Sequence, residues 1–159
     1  MARALWGDGD TTRYLCASGR FSHGQILARL QTELCNQRDH GVQYWPIFAL
    51  EDGAFLGCCG LRPYGPRADT LEMGFHLRSA HWGRGYGPEA ARAVIAYAFD
   101  TLGVQALFAG HHPSNVNSRK TLLRLGFIEG EAQFYEPTGL LHPSYWLRRE
   151  GWLARMRAH

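Results

Sequence analysis

The stretch Trp82-Gly83-Arg84-Gly85-Tyr86-Gly87-Pro88-Glu89-Ala90-Ala91 constrains this chain more than any other. Its alternating glycines lack the Cβ atoms that hold a backbone away from a ligand, and they permit the positive φ values that turn successive N–H groups to one side. Pro88 suits the first turn of a helix, where its missing N–H costs nothing. The loop therefore runs into a helix whose free amides carry the positive end of the dipole. A phosphate is the natural guest of such a cradle, although a glycine turn without a ligand would use the same residues.

The helix that follows has an apolar stripe, Ala91, Val94, Ile95, Ala98, Phe99 and Leu102, closed by Gly103 at C′. Before the loop, Leu71, Met73, Phe75 and Leu77 alternate with Glu72, Gly74 and His76, which predicts a strand with one apolar and one polar face. Residues 45–50 and 55–61 read as a hairpin turning at Glu51-Asp52-Gly53, with Gly57 and Gly60 marking a bulge or a close backbone neighbour. A loop broken by Pro63, Gly65 and Pro66 should follow. Upstream, a short helix is expected from Asp8 or Asp10 through Tyr14 and Leu15 to near Gly19. A second helix is signalled twice, by the Ser22/Gln25 capping box and the Phe21/Ile26 staple. Its apolar face should be Ile26, Leu27, Leu30 and Leu34, and it should end before Gly41, leaving Gln31, Glu33, Gln37 and Arg38 mostly in water. After the loop come a strand at 105–110, a helix opened by Pro113-Ser114-Asn115 and stopped by Gly126, and strands at 127–135 and 142–147. The basic tail, 148–159, reads as a solvated terminal helix, with partner binding as the lesser option.

A chain of 159 residues with this content suits a single α+β domain, 1–159, of two helices, three antiparallel strands, helix, strand, helix and two strands. The formal charge of +3 lacks the concentrated basic stripe that nucleic acid requires. No apolar run approaches a membrane span and no signal-like segment opens the chain, so the expected location is the cytoplasm, with no membrane partner. The four cysteines show no CxxC spacing and read as small core residues rather than metal ligands.

On these residues the chain resembles the GNAT acyl-coenzyme A N-acyltransferases, and within them the RimJ/RimL-like branch. Residues 82–90 are similar to that branch's W-G-x-G-Y-A/G-x-E-A pyrophosphate loop. Asn115-Val116-Asn117-Ser118 leading to Leu125-Gly126-Phe127 is similar to its N-x-x-S helix ending in L-G-F. The resemblance implies a mostly antiparallel twisted sheet flanked by helices, in which the strand matching 71–77 is bulged and splays from the one matching 105–110. Acetyl-coenzyme A, the implied cosubstrate, would lie in the gap. Backbone groups near Phe75, Leu77 and Arg78 would hold its pantetheine arm, and the loop Trp82, Gly83, Arg84, Gly85, Tyr86 and Gly87 its pyrophosphate. Asn115 and Ser118 would flank it, and Arg84, Arg119 or Lys120 would meet remaining phosphate charge or stay solvated surface cations. No metal is implied.

The implied reaction is direct transfer of an acetyl group to a primary amine, on a protein N-terminus or a small molecule. Such an amine, with a pKa of about 10.4, must lose a proton before it attacks. Glu72 stands where the family places a carboxylate base, and it reads equally as a surface or ion-paired glutamate; His76 is a lesser candidate and more readily a hydrogen-bonded strand residue. A backbone N–H near Phe75 would hold the oxyanion. The family's tyrosine acid is replaced by Leu122, leaving Ser118, Tyr135 or water as the acid, while Ser118 is also a helix-capping or coenzyme-binding residue. The family's first strand has no match upstream of Trp6. The sheet should then expose an edge that a second subunit of a homodimer could cover, unless the start codon is mispredicted. Tyr64, Arg67, Asp69, His142 and Tyr145 lie on the loops that would admit the acceptor. The alternative function is a non-catalytic acyl-coenzyme A-binding domain.

Overall fold

A computed structural model describes residues 1–158, so His159 of the expected terminal helix lies outside the described residues. Three helices open the chain: α1 (Ala2–Trp6), α2 (Gly9–Thr12) and α3 (His23–His40). Strands β1 (Tyr44–Phe48), β2 (Phe55–Tyr64) and β3 (Arg67–Leu77) follow, then α4 (Tyr86–Ala96), β4 (Ala106–Gly110) and α5 (Val116–Leu125). The chain ends with β5 (Ile128–Tyr135), β6 (Leu140–Arg148) and α6 (Arg149–Arg157). The six strands form one sheet in the order β1-β2-β3-β4-β6-β5, antiparallel except for the parallel β3–β4 pair. The α+β class and the mostly antiparallel sheet are as the sequence predicts.

The two faces of the sheet bury different cores, because successive strand side chains alternate. One face packs Cys59, Leu61, Met73, Leu107 and Tyr145 against the α4 stripe of Ala91, Val94 and Ile95 and its π-helical continuation at Ala98 and Phe99. The other packs Cys58 and Tyr44 against Leu5, Trp6 and Ile26 of α1 and α3. The adjacent cysteines thus face opposite ways, and all four are free thiols.

Several expectations change. Helix α1 was not foreseen, and the helix expected through Tyr14 shrinks to the single turn of α2, capped by Asp8. Helix α3 has its capping box, but Leu27, Leu30 and Leu34 are exposed and the buried residues are Ile26 and Glu33. Ile26, Arg29 and Glu33 also share one helix face. That face wins because Glu33 supplies an acceptor for the Tyr44 N–H and for Arg62. No loop interrupts β2 at Pro63. Gly60 is the last β2 residue paired to β1, and the Pro63 nitrogen points to the side that β1 has left, so its missing donor costs nothing. Gly57 and Gly60 mark close neighbours: a Cβ on either would run into the backbone of His76 or Gln43. The terminal helix α6 is docked rather than simply solvated, with Trp152 5.3 Å from Phe99 between ring centroids.

Candidate active site

Strands β3 and β4 pair only over Thr70–Glu72 and Ala106–Phe108, and then part. The gap is the floor of a cleft of about 870 Å³. On the other side β3 stays in continuous register with β2 from Leu77↔Gly57 to Leu71↔Pro63, so the bulge that the resemblance implies does not disturb this pairing. Alternation in the antiparallel ladder fixes which backbone groups face the gap. Arg78 N–H donates to the Leu56 carbonyl, so residues of its parity (His76, Gly74, Glu72) spend their amides on β2. Met73, Phe75 and Leu77 turn theirs toward β4. Since the β3–β4 pairing ends at Glu72↔Phe108, Phe75 is the first residue whose N–H and C=O face the gap without a strand partner. The Leu77 carbonyl is already taken by the Thr11 hydroxyl at 3.0 Å and the Trp82 indole N–H at 2.9 Å.

Gly83 and Gly85, at φ values of 74° and 84°, give the loop its left-handed turns, and Gly85 is the N-cap of α4. Gly87 is buried against Phe75 and Leu77, where an added Cβ would sit 3.4 Å from both side chains. Trp82, Gly83, Gly85 and Gly87 line the cleft together with Glu72, Phe75 and Leu77. Asn115, Ser118 and Lys120 of the α5 end face them. Arg84 and Tyr86 do not line it. Arg78 turns away, its N–H bonded to Leu56 and its guanidinium donating to the Phe55 carbonyl at 3.1 Å. The residues present suit acetyl-coenzyme A: an open backbone edge at Phe75, positive-φ glycines leading into a helix N-terminus, and a lysine. Asn115 caps α5 by accepting the Ser118 N–H at 3.1 Å. Leu122, which also lines the cleft, is apolar where the resemblance puts a tyrosine.

Asp8 ties the N-terminal segment to the start of the loop. Its carboxylate accepts the Ser79 N–H at 3.0 Å and the Ser79 hydroxyl at 2.7 Å, besides the Asp10 N–H, and it shares the one Thr11 hydroxyl proton, at 3.0 Å, with the Leu77 carbonyl. Burial opposes ionisation, yet these donors outweigh it and lower the pKa from 3.8 to about 2. A carboxyl depressed on folding adds stability above its unfolded pKa and loses it as pH falls through its folded one. The Tm of Asp8→Asn should therefore decline less than wild type between pH 3.8 and about 2, while lying below it at neutral pH. Parallel melting curves across that acid range would contradict this role.

The polar wall of the cleft carries Glu72, which among the described residues no side-chain hydrogen bond ties down. Burial raises its pKa, against the pull of Arg62 and Arg29 and with a small push from Glu33. Glu33 is 2% exposed, is ion-paired with Arg62 and lies 3.3 Å from Arg29 Nε. Its other oxygen accepts the Tyr44 N–H at 2.8 Å. Tyr44 lies across Gly74, where any Cβ would strike its hydroxyl. Trp6 donates its indole N–H to His76 Nδ1 at 3.1 Å, which leaves the proton of a neutral His76 on Nε2. Burial, then Arg29 and Arg62, push the His76 pKa well down. With Nδ1 accepting and Nε2 protonated, a neutral His76 has no lone pair for a base.

On the far wall, Tyr64 stacks on Phe108 with ring centroids 4.4 Å apart. His142 and Tyr135 also line the cleft, their rings 4.7 Å apart, and Thr138 Oγ1 holds His142 Nε2 at 2.7 Å. Of the other residues expected around the acceptor entry, Tyr145 is fully buried with its hydroxyl 3.2 Å from His111 Nε2, and Arg67 and Asp69 stay outside. The sequence pattern did not point to Arg29, Tyr44, Arg62 or Trp6, offered Asp8 only as a helix start, and set Glu33 on the solvated face of its helix, where it is instead buried. Arg62 shares strand parity with Glu72 once the hairpin register is known. Among the described residues no group of three or more His, Cys, Asp or Glu could hold a metal ion, and no helix is long and apolar enough to cross a membrane.

Residues 1–128 match a family model described as an acetyltransferase (GNAT) domain. The uncharacterized protein YkkB of Bacillus subtilis (strain 168) is 34% identical over 123 residues, 77% of this chain and 70% of its own length. An Aspergillus fumigatus protein named FsC-acetyl coenzyme A-N(2)-transacetylase is 31% identical over 126 residues, 71% of this chain and 53% of its own. Among solved structures, the acetyltransferase from Agrobacterium tumefaciens str. C58 superposes with a TM-score of 0.76 at 25% identity, covering 91% of this chain and 83% of its own.

Proposed function

The chain belongs to the GNAT acetyltransferase family, and on that premise we propose that it moves an acetyl group from acetyl-coenzyme A directly to a primary amine. The observation that carries the reading is the gap between β3 and β4. One geometry puts an unpaired backbone edge at Phe75, a glycine cradle at Gly83 to Gly87 and the free carboxyl of Glu72 on a single cleft. The relative named as an acetyl coenzyme A-N(2)-transacetylase supports both the donor and a nitrogen acceptor.

Each residue then has a physical task. The amides of the loop and of the α4 N-terminus receive the pyrophosphate, where the dipole and the free N–H groups favour negative charge. Phe75 offers its N–H and C=O as a strand edge, and its N–H is the donor we assign to the oxyanion. Leu77 contributes only its N–H, because its carbonyl is spent on Thr11 and Trp82. Glu72 takes the amine's proton at a carboxylate oxygen, and its raised pKa brings it closer to that task than an exposed glutamate. A thiol of pKa about 8.5 leaves readily as thiolate, so Leu122 in place of an acid is tolerable, and Ser118 is the hydroxyl on that side of the cleft.

The test begins with melting. Acetyl-coenzyme A at about a hundred times its Kd should add about 2.7 kcal/mol, a rise of several degrees, with adenosine diphosphate and free coenzyme as controls. No rise at millimolar ligand would remove the reading. A rise without coenzyme release on any amine would instead favour an acyl-coenzyme A-binding domain that does no chemistry.

A further inference from the structure

We propose that the acceptor is an amine that also carries a carboxylate close by, seated on the Arg29 guanidinium beside Arg62. The proposal rests on the acetyl-transfer reading and narrows its acceptor. Arg29 and Arg62 both line the cleft, on the same wall as Glu72. Their ion-pair partner is the single carboxylate of Glu33, whose two oxygens are already shared among Arg62, Arg29 and the Tyr44 N–H. Arg29 meets Glu33 through Nε, 3.3 Å from Oε1 but without hydrogen-bond geometry, so any acceptor carboxylate would be met by its terminal nitrogens. The Arg29 guanidinium packs on two rings, 5.5 Å from the Trp6 centroid and 5.4 Å from that of Tyr44, and Arg62 lies 4.3 Å from Tyr44. Contact of a cation with a ring face uses the charge and no N–H, so the guanidinium hydrogens that Glu33 does not meet remain for a planar carboxylate.

The charges point the same way. Two guanidiniums against Glu33 leave one positive charge, which ionised Glu72 balances. Once Glu72 holds the proton taken from the amine it is neutral, and a carboxylate on the acceptor restores the balance in a half-buried place. A polyamine brings only cations to this wall. A protein N-terminus has a neutral amide where the carboxylate would be.

Coenzyme release should be followed on pairs that share a skeleton and differ only in the carboxylate: L-phenylalanine and phenethylamine, L-leucine and 3-methylbutylamine, L-lysine and pentane-1,5-diamine. The wild type should favour the carboxylate-bearing member by about tenfold or more in kcat/KM, the scale of one charge-assisted hydrogen bond. Arg29→Gln, in which Arg62 still pairs with Glu33, should cut that ratio to below about threefold, mostly through KM. Arg29→Lys keeps the charge without the fork, should fall between, and decides the matter should the glutamine variant not fold. Equal or reversed preference in the wild type, no turnover of any carboxylate-bearing member, or a ratio unmoved by these variants would overturn the proposal. Failure of acetyl-coenzyme A to raise the wild-type Tm would strike the acetyl-transfer reading instead, and the two failures are distinguishable on that ground.

Discussion

Glu72→Gln should lower kcat by about 10²–10⁴-fold while leaving the melting shift produced by acetyl-coenzyme A intact. The substitution keeps the shape of the side chain and removes only its capacity to accept a proton, so a selective loss of rate identifies the base. The pH profile supplies the second reading. A base works when deprotonated, and burial holds the Glu72 pKa above the ordinary 4.5. The wild-type kcat/KM should therefore fall on the acid side with a midpoint above that value, and the glutamine variant should lose this limb. A variant within about threefold of wild type at neutral pH would leave Glu72 as a half-buried glutamate with no part in the chemistry.

Glu33→Ala should cost about 3–5 kcal/mol, because it strips two half-buried guanidiniums of their shared counterion and leaves the Tyr44 N–H without its acceptor. For a domain of this size that is a fall in Tm of roughly 6–20 °C. Most of the loss is the penalty of an unpaired buried charge, so adding Arg62→Met to the alanine variant should recover part of it. A single variant that melts within about 2 °C of wild type would mean that water replaces the carboxylate at no cost. Glu33 does not reach the glycine loop, and the Kd for acetyl-coenzyme A should change little in the folded fraction.

What could be read in the sequence was whatever depends on neighbours along the chain. The Ser22/Gln25 box closes as its spacing predicts, Gly41 and Gly126 end their helices in the left-handed conformation, and Asn115 caps α5. The alternation from Leu71 to Leu77 sorted Glu72 onto the polar face, because strand parity is local. The glycine loop was legible for the same reason: positive φ and a proline in the first helical turn are demands that a few adjacent residues satisfy or fail. Leu27, Leu30 and Leu34 misled because periodicity shows that a helix is amphipathic without showing which of two neighbouring faces will meet the sheet. Glu33 decided that, and a buried acidic residue has no local signature. The charged wall of the cleft was illegible on the same ground. Arg29 and Glu33 on α3, Tyr44 on β1, Arg62 on β2 and Glu72 on β3 meet only after the helix docks on the sheet. Their charges then act through a low-dielectric interior that does not exist in the unfolded chain. The sequence by itself determined the loop, the caps and the strand parity, which arise from steric and hydrogen-bonding limits on consecutive residues. Only the tertiary structure decided which charges share the cleft, because Coulombic coupling and desolvation depend on distance in space and not along the chain.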